Sequence, residues 1–203
     1  GYLLASLLNA SGFEVTVIQI VPSVELKGDA SKAMESARGA GILFRGWPLN
    51  GALSVKKSSD HLWVDAMLGI GLNRPVEDNF LKAIEYFNHG AVPKLSIDIP
   101  SGLCSNTGVP LGRAVKADVT MTFLALKLGL LTGDASDYVG ELFFNALKTS
   151  DEVFSRGPAP IARRIDIHDS KPAVSPRKQS AHKGVHGHTC LLYTSDAADE
   201  GLG

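Results

Sequence analysis

Two apolar segments of this chain each end on an aspartate and then continue into a turn that contains glycine. One is Leu95–Leu103, with the sequence LSIDIPSGL, which carries Asp98. The other is His61–Leu72, with the sequence HLWVDAMLGIGL, which carries Asp65. Ligands of open α/β sheets bind in the crevice beyond the carboxyl ends of the strands. The two segments therefore predict an α/β fold in which both aspartates lie at strand ends and are candidates for one site.

Small residues follow each aspartate and indicate close approach of the backbone to a ligand. Ser101 lies in a Pro-Ser-Gly turn after Asp98, and Gly69 and Gly71 follow the other apolar segment. Glycine lets the backbone approach a bound molecule closely. The glycine pair lacks the third glycine of a dinucleotide fingerprint, because position 74 is arginine. An ordinary nicotinamide-dependent dehydrogenase is therefore disfavoured.

Each polar candidate also has a purely structural interpretation. Asp98 could cap the turn that follows it, since aspartate side chains bond nearby backbone N–H groups in turns. Asp65 could be one of several strand residues beside the glycine-rich loop. Lys127 could be either a solvated charge at a strand end or a group that faces the ligand crevice. A carboxylate that leaves an apolar strand costs free energy unless a partner or ligand uses it, which favours a functional Asp98.

Length and charge exclude several classes of protein. The chain has 203 residues, with 20 Lys+Arg against 21 Asp+Glu. This length suits about one domain with its own core, and the balanced charge predicts neither nucleic acid nor a membrane surface as a partner. The two cysteines cannot form a disulfide framework, and no apolar run reaches the roughly 18–20 residues that span a membrane. We expect a cytoplasmic protein, for which a homo-oligomer is possible.

Hydrophobic periodicity predicts alternating helices and strands. Predicted helices cover residues 2–10, 30–37 and 80–87, and predicted strands cover residues 13–17, 41–44, 117–126 and 140–144, together with the two that end near Asp65 and Asp98. Such alternation implies a mainly parallel sheet with helices on both faces and right-handed crossovers. The predicted fold class is therefore a Rossmann-like three-layer α/β/α sandwich.

Composition changes after about residue 150. Residues 151–181 are rich in proline and basic residues and show little apolar period, which is typical of a linker. His182, His186 and His188 follow in the segment HKGVHGH, but no neighbouring carboxylate supports them as metal ligands. Residues 190–203 are similar to translated adapter sequence at the ends of assembled fragments, so we expect a non-native tail there.

Four segments, in this order along the chain, resemble one known family. They are VDAMLGIGLNRPVE (Val64–Glu77), LSIDIPSGL (Leu95–Leu103), TGVPLGRAVKADVTMTFLALKLGLLTG (Thr107–Gly133) and YVGEL (Tyr138–Leu142). Together they resemble the YjeF N-terminal domain, the NAD(P)H-hydrate epimerase, over about residues 1–150. The segment HKGVHGH resembles the opening of the ribokinase-like, ADP-dependent NAD(P)H-hydrate dehydratase domain of a bifunctional bacterial protein.

The resemblance also implies a domain organisation. It gives an epimerase domain at residues 1–150 and the start of a truncated dehydratase domain at 182–189, and the linker at 151–181 and the non-native tail at 190–203 complete the predicted organisation. The family's NNGGDG loop would end at Gly1, so the resemblance implies a domain truncated at its N-terminus. We therefore expect the 203-residue chain by itself to be neither a working epimerase nor a working dehydratase.

The function that the resemblance implies is repair of hydrated nicotinamide cofactors. An isomerase of this family interconverts the R and S epimers of NADHX and NADPHX, and its bifunctional parent is also a lyase that dehydrates the S form with ADP or ATP. By resemblance, Asp98 touches the substrate directly, whereas Asp65 and Ser101 bind a potassium ion. We expect Asp98 to be the catalytic residue, because epimerisation moves a proton on and off an oxygen and a carboxylate can do this. The implied substrate-binding loop comprises Gly69, Ile70, Gly71, Leu72, Asn73, Arg74 and Pro75.

The alternative function is a non-catalytic YjeF-type binding or scaffold module. Such a relative would keep the fold and lose the polar site. This chain retains Asp65, Asp98 and Ser101, which favours the enzyme.

Overall fold

The computed structural model describes residues 1–22, 26–49, 61–157 and 159–163 of the chain. Parallel strands and α-helices are interspersed along these ranges, which confirms the α/β class. The described helices are α1 (Tyr2–Ala10), α2 (Asp29–Gly39), α3 (Asp78–His89) and α4 (Asp151–Arg156). The described strands are β1 (Thr16–Gln19), β2 (Leu43–Gly46), β3 (Trp63–Asp65), β4 (Lys94–Ile97), β5 (Val119–Phe123) and β6 (Glu141–Asn145).

Some strand ends differ from the predicted ones because strand pairing, rather than side-chain alternation, decides where a strand begins. The strand predicted at residues 13–17 is found at β1, where Thr16 is the first residue to pair with β2. Phe13 is 61% exposed outside it. The strand predicted at residues 117–126 ends at Phe123, because Leu124 has a φ of 63°, outside the extended region.

All described strands pair in parallel, which confirms the mainly parallel sheet. Strands β3, β4, β5 and β6 form a four-stranded sheet in that order, and β1 pairs with β2 in a separate two-stranded sheet. In the larger sheet, Asp65 lies beside Ser96 and Ile97 lies beside Met121. Because its strands run in the same direction, their carboxyl ends meet at one edge. Both predicted aspartates lie at that edge.

Buried side chains anchor the turn that follows β4. Ile99 and Leu103 are each 1% exposed and pack in one hydrophobic cluster with Leu130 and Val139. Burial of a side chain of this size stabilises the fold by roughly 1.5–3 kcal/mol. Since these two anchors flank Ser101, the packing fixes the position of the polar turn between them.

The chain divides into two units, Gly1–Pro158 and Ala159–Gly203. Both sheets belong to the first unit, as does α4, which lies at the start of the predicted linker. The predicted boundaries at 181 and 189, the three histidines and the predicted tail lie outside the described residues. Within the described ranges, every helix is too short or too polar to cross a lipid bilayer.

Candidate active site

Asp65 ends strand β3 and is only 1% exposed. Its oxygen Oδ1 accepts hydrogen bonds from the Ser101 hydroxyl at 2.5 Å and from the Met67 backbone N–H at 3.3 Å. Its oxygen Oδ2 accepts from the Ser101 backbone N–H at 2.8 Å and from the Ser96 hydroxyl at 2.9 Å. Buried polar groups are normally hydrogen-bonded, and this carboxylate is fully so. Asp65 is therefore the centre of a buried polar cluster.

The electrostatic environment of Asp65 is unusual for a carboxylate. Complete burial raises the pKa of Asp65 above the ordinary value of aspartate, although the hydrogen bonds that it accepts act in the opposite direction. Among the described residues, no cationic side chain forms an ion pair with it. A positive ion bound beside this carboxylate would supply the charge compensation that the side chains do not.

Ser101 connects Asp65 to the loop after β3. Its oxygen Oγ accepts a hydrogen bond from the Leu68 backbone N–H at 2.8 Å and lies 3.2 Å from the Leu68 carbonyl oxygen. A carboxylate, a hydroxyl and a carbonyl oxygen thus converge at one point. The structure therefore brings together Asp65 and Ser101, the two predicted potassium ligands, although 36 residues separate them in sequence.

Gly102 allows the turn that presents Ser101. It has a φ of +93°, and a Cβ atom added to it would lie 2.0 Å from the Arg113 carbonyl oxygen. The turn is tied to the same segment, because the Val115 N–H donates to the Ser101 carbonyl at 2.8 Å. A side chain at position 102 would therefore be strained and would also displace the neighbouring backbone.

We expect Gly102→Ala to destabilise the protein by roughly 2 kcal/mol or more, because positive-φ strain of about 1–3 kcal/mol adds to the clash with Arg113. Thermal unfolding of the full-length gene product that carries this chain measures the effect. Gly39→Ala is the matched control, since Gly39 ends helix α2 and a Cβ there meets nothing within 4 Å. Equal melting temperatures for the two variants would contradict this account of the turn.

Asp98 follows β4 directly and has a φ of +73°, which is uncommon for a residue other than glycine. Its backbone N–H donates to the Met121 carbonyl at 2.7 Å. Its oxygen Oδ1 accepts from the Thr122 hydroxyl at 3.2 Å and from the Phe123 N–H at 3.2 Å, and it forms an ion pair with the Lys127 ammonium. The side chain is 28% exposed. The Asp98 carboxylate is therefore held by β5 and the loop after it.

The two aspartates occupy one sheet edge but two hydrogen-bond clusters. We call Asp65, Ser96 and Ser101 the Asp65 cluster, and Asp98, Thr122 and Lys127 the Asp98 cluster. Among the described residues, no hydrogen bond joins the two carboxylates. The turn-capping interpretation of Asp98 is wrong, because its side chain bonds across to β5 rather than to the turn. Lys127 is an ion-paired, largely buried group rather than a solvated charge.

The predicted substrate loop, residues 69–75, lines a cavity of about 750 Å³. Every residue of the loop contributes to this lining except Ile70, whose side chain is 57% exposed. The lining also includes Leu68, whose N–H bonds to Ser101, so the Asp65 cluster adjoins the cavity. Small-molecule sites commonly occupy about 300–1,000 Å³. Asp98 is not among the residues that line the cavity, and its side chain is partly exposed.

Two members of the clusters were not predicted from the sequence. Ser96 and Thr122 are both 0% exposed and both hydrogen-bond to one of the aspartates. In the sequence, each of them stands out only as a polar residue inside an apolar strand. Threonine is common in strands, so this signal alone does not distinguish a site residue from an ordinary strand residue.

Comparisons with known proteins agree with this architecture. The family model described as the YjeF-related protein N-terminus matches residues 1–129, a range that contains both clusters. The chain belongs to this family. The resemblance found in the sequence is therefore confirmed, and both clusters lie within a YjeF-related N-terminal domain.

Several curated relatives are similar to this chain over all or nearly all of its length. The bifunctional NAD(P)H-hydrate repair enzyme of Leishmania braziliensis is 35% identical over 207 residues, covering 100% of this chain and 36% of the relative. The enzyme of the same description, Nnr, from Escherichia coli K12 is 34% identical over 192 residues, covering 95% of this chain and 36% of the relative. Nnr from Vibrio cholerae is 32% identical over 207 residues, covering 100% of this chain and 39% of the relative. The chain thus spans little more than a third of the length of these relatives.

Proposed function

We propose that this YjeF-related domain is a NAD(P)H-hydrate epimerase that interconverts the R and S forms of NADHX and NADPHX. The observation that carries the proposal is the Asp98 carboxylate, which is fixed at the sheet edge where the neighbouring strand β3 leads into the cavity-lining loop 69–75. The names of the relatives supply the substrate class, since they are NAD(P)H-hydrate repair enzymes.

The reaction requires proton movement on an oxygen. In the hydrated nicotinamide ring, carbon C6 carries a hydroxyl and is also bonded to the ring nitrogen N1. One route loses hydroxide, which leaves a planar iminium that water enters from the other face. The other route removes the hydroxyl proton, so that a C6 aldehyde forms as the C6–N1 bond breaks and N1 takes up the proton. Reclosure on the other face of the aldehyde then gives the other epimer.

The geometry of Asp98 suits the ring-opening route. A carboxylate paired with the Lys127 ammonium is a base, so it can accept the C6 hydroxyl proton and return that proton to N1. No external acid, oxidant or reductant is needed, because the proton taken from oxygen is the one delivered to nitrogen. A group that moves a proton in this way contributes typically 10²–10⁴-fold to the rate.

Asp65, Ser101 and the neighbouring Leu68 carbonyl offer the kind of oxygen atoms that a monovalent cation binds. Asp65, Ser101 and the Leu68 carbonyl supply hard oxygen atoms around one buried negative charge. Groups of three or more His, Cys, Asp or Glu side chains arranged to hold a metal ion are absent from the described residues. We propose that these oxygens hold potassium, which would supply positive charge beside the cavity.

If potassium binds there, KCl is expected to raise the melting temperature of the protein above that in an equal concentration of tetramethylammonium chloride. A ligand at 100 times its dissociation constant stabilises the folded state by about 2.7 kcal/mol. The variant Ser101→Ala is expected to reduce the difference between the two salts. Identical melting curves of the unmodified protein in both salts would remove the potassium assignment.

The relatives are named bifunctional, and this supports a second activity in the protein that carries this chain. We propose that a ribokinase-like domain beyond residue 181 dehydrates the S epimer with ADP or ATP. The segment HKGVHGH, outside the described residues, supports this assignment by its resemblance.

The test of the epimerase is to supply purified S-NADHX to the full-length gene product without ADP or ATP. Omitting nucleotide keeps dehydration from removing the substrate, and a sample without protein gives the spontaneous rate. Formation of R-NADHX well above that rate, followed by NMR, is the expected result. Binding without exchange would favour the scaffold module, and hydride transfer with intact NAD would favour a dehydrogenase.

A further inference from the structure

The ammonium group of Lys127 makes its hydrogen bonds within the chain. The side chain is 16% exposed and its Nζ contacts three acceptors. These are Oδ1 of Asp98, Oγ1 of Thr122 at 3.0 Å and the Phe123 carbonyl oxygen at 2.8 Å. A lysine ammonium has three donors and no acceptor. All three donors are therefore used within the chain, and none is left for a substrate.

The donors around Asp98 converge on one of its two oxygens. Lys127, the Thr122 hydroxyl and the Phe123 N–H all bond to Oδ1. None of the hydrogen bonds between described residues involves Oδ2. With 28% of the side chain exposed, Oδ2 is the oxygen that can meet a molecule at the sheet edge.

We propose that Lys127 is a positioning residue that locks the Asp98 carboxylate so that Oδ2 is presented to the substrate as the base. The proposal rests on the epimerase function proposed above. Without the ammonium, only two neutral donors at 3.2 Å hold Oδ1. Hydrogen bonds to charged donors are roughly twice as strong as neutral ones, so the carboxylate would then rotate and its charge would lose its counter-ion.

The position of Lys127 in the fold supports this role. Lys127 directly precedes a 3-10 turn at Leu128–Leu130, whose last residue is buried in the cluster that also holds Ile99. Ile99 is the residue after Asp98. One hydrophobic cluster therefore anchors the backbone on both sides of the ion pair. A pair held from both sides loses little side-chain entropy when it forms, because its geometry is already fixed.

The test compares epimerisation kinetics of four variants in the full-length gene product. These are Lys127→Met, Lys127→Arg, Asp98→Asn and the double variant Asp98→Asn with Lys127→Met. Lys82→Met is the matched control, because Lys82 is an exposed lysine on helix α3. Thermal unfolding is recorded for every variant, so that a loss of fold is separated from a loss of rate.

We expect Lys127→Met to lower kcat by about 10- to 100-fold, the loss that follows when a group that orients a metal-ligating side chain is removed, because Lys127 orients Asp98 in a comparable way. KM should change less than about 3-fold, since no Lys127 donor reaches the substrate. Lys127→Arg should recover part of the rate, because the charge is kept but the planar group fits three acceptors less well. The double variant should be no slower than Asp98→Asn, because both changes remove the same function. The control should behave as the unmodified protein.

Three results would overturn the inference while leaving the epimerase intact. They are an unchanged kcat in Lys127→Met, an increase in KM without a fall in kcat, and a double variant whose losses multiply. If Lys127→Met does not fold, a Lys127→Arg protein with an unchanged kcat and a raised KM would overturn it equally. Absence of exchange in the unmodified protein would instead overturn the proposed function and the inference with it.

Discussion

Replacing Asp98 with alanine is expected to lower the rate of R/S exchange by about 10²–10⁴-fold, the range that a proton-transferring group contributes. The fold should survive, because the side chain is 28% exposed and the backbone N–H keeps its bond to Met121. Lys127 would lose a partner but would keep two acceptors, Thr122 and Phe123. The measurement is NMR of the exchange between purified epimers, with thermal unfolding in parallel.

Asp137→Ala is the matched control for this experiment. Asp137 is an exposed aspartate of the same domain, in a 3-10 turn. We expect it to leave both the rate and the melting temperature unchanged. A loss of less than about tenfold in Asp98→Ala would show that the carboxylate does not transfer the proton.

The second large effect is expected on stability, at Asp65. Asp65→Ala removes the acceptor for the Ser101 hydroxyl and N–H and for the Ser96 hydroxyl, which are all buried. Each hydrogen bond to a charged group contributes about 1.5–3 kcal/mol, and a buried donor left unsatisfied costs about 1–3 kcal/mol. We therefore expect a loss of roughly 3 kcal/mol or more in the free energy of unfolding.

Thermal and urea unfolding of the full-length gene product measure this loss. Asp134→Ala, an exposed aspartate, is expected to change stability by less than about 0.5 kcal/mol, as surface substitutions usually do. Asp65→Ala should also abolish any difference between potassium and tetramethylammonium. An Asp65→Ala protein as stable as Asp134→Ala would show that the Asp65 cluster does not support the turn at Ser101.

The strand ends could be predicted from the sequence because an apolar run followed by aspartate and glycine is a local pattern. Asp65 and Asp98 are found at the predicted edge for this reason. The proximity of Asp65 and Ser101 was predicted from the family resemblance rather than from periodicity. No local rule joins residues that are 36 positions apart.

The side-chain partners of Asp98 could not be predicted in this way. They depend on the register of β4 against β5, in which Ile97 lies beside Met121, and on the left-handed backbone at Asp98. Periodicity gives the face of a strand but not its register. For the same reason, the strand predicted at residues 13–17 begins later than predicted, because its start is set by pairing with β2.

In the proposed function, a hydrated nicotinamide ring lies against Oδ2 of Asp98, with the rest of the substrate along loop 69–75. The most direct test is a crystal structure of the full-length Asp98→Asn variant with NADHX. We expect the C6 hydroxyl to lie about 2.6–3.2 Å from the side-chain atom of residue 98 that Lys127 does not contact, the reach of a proton-transferring group. A nicotinamide ring bound away from residue 98, with Lys127 donating to the substrate, would contradict the account.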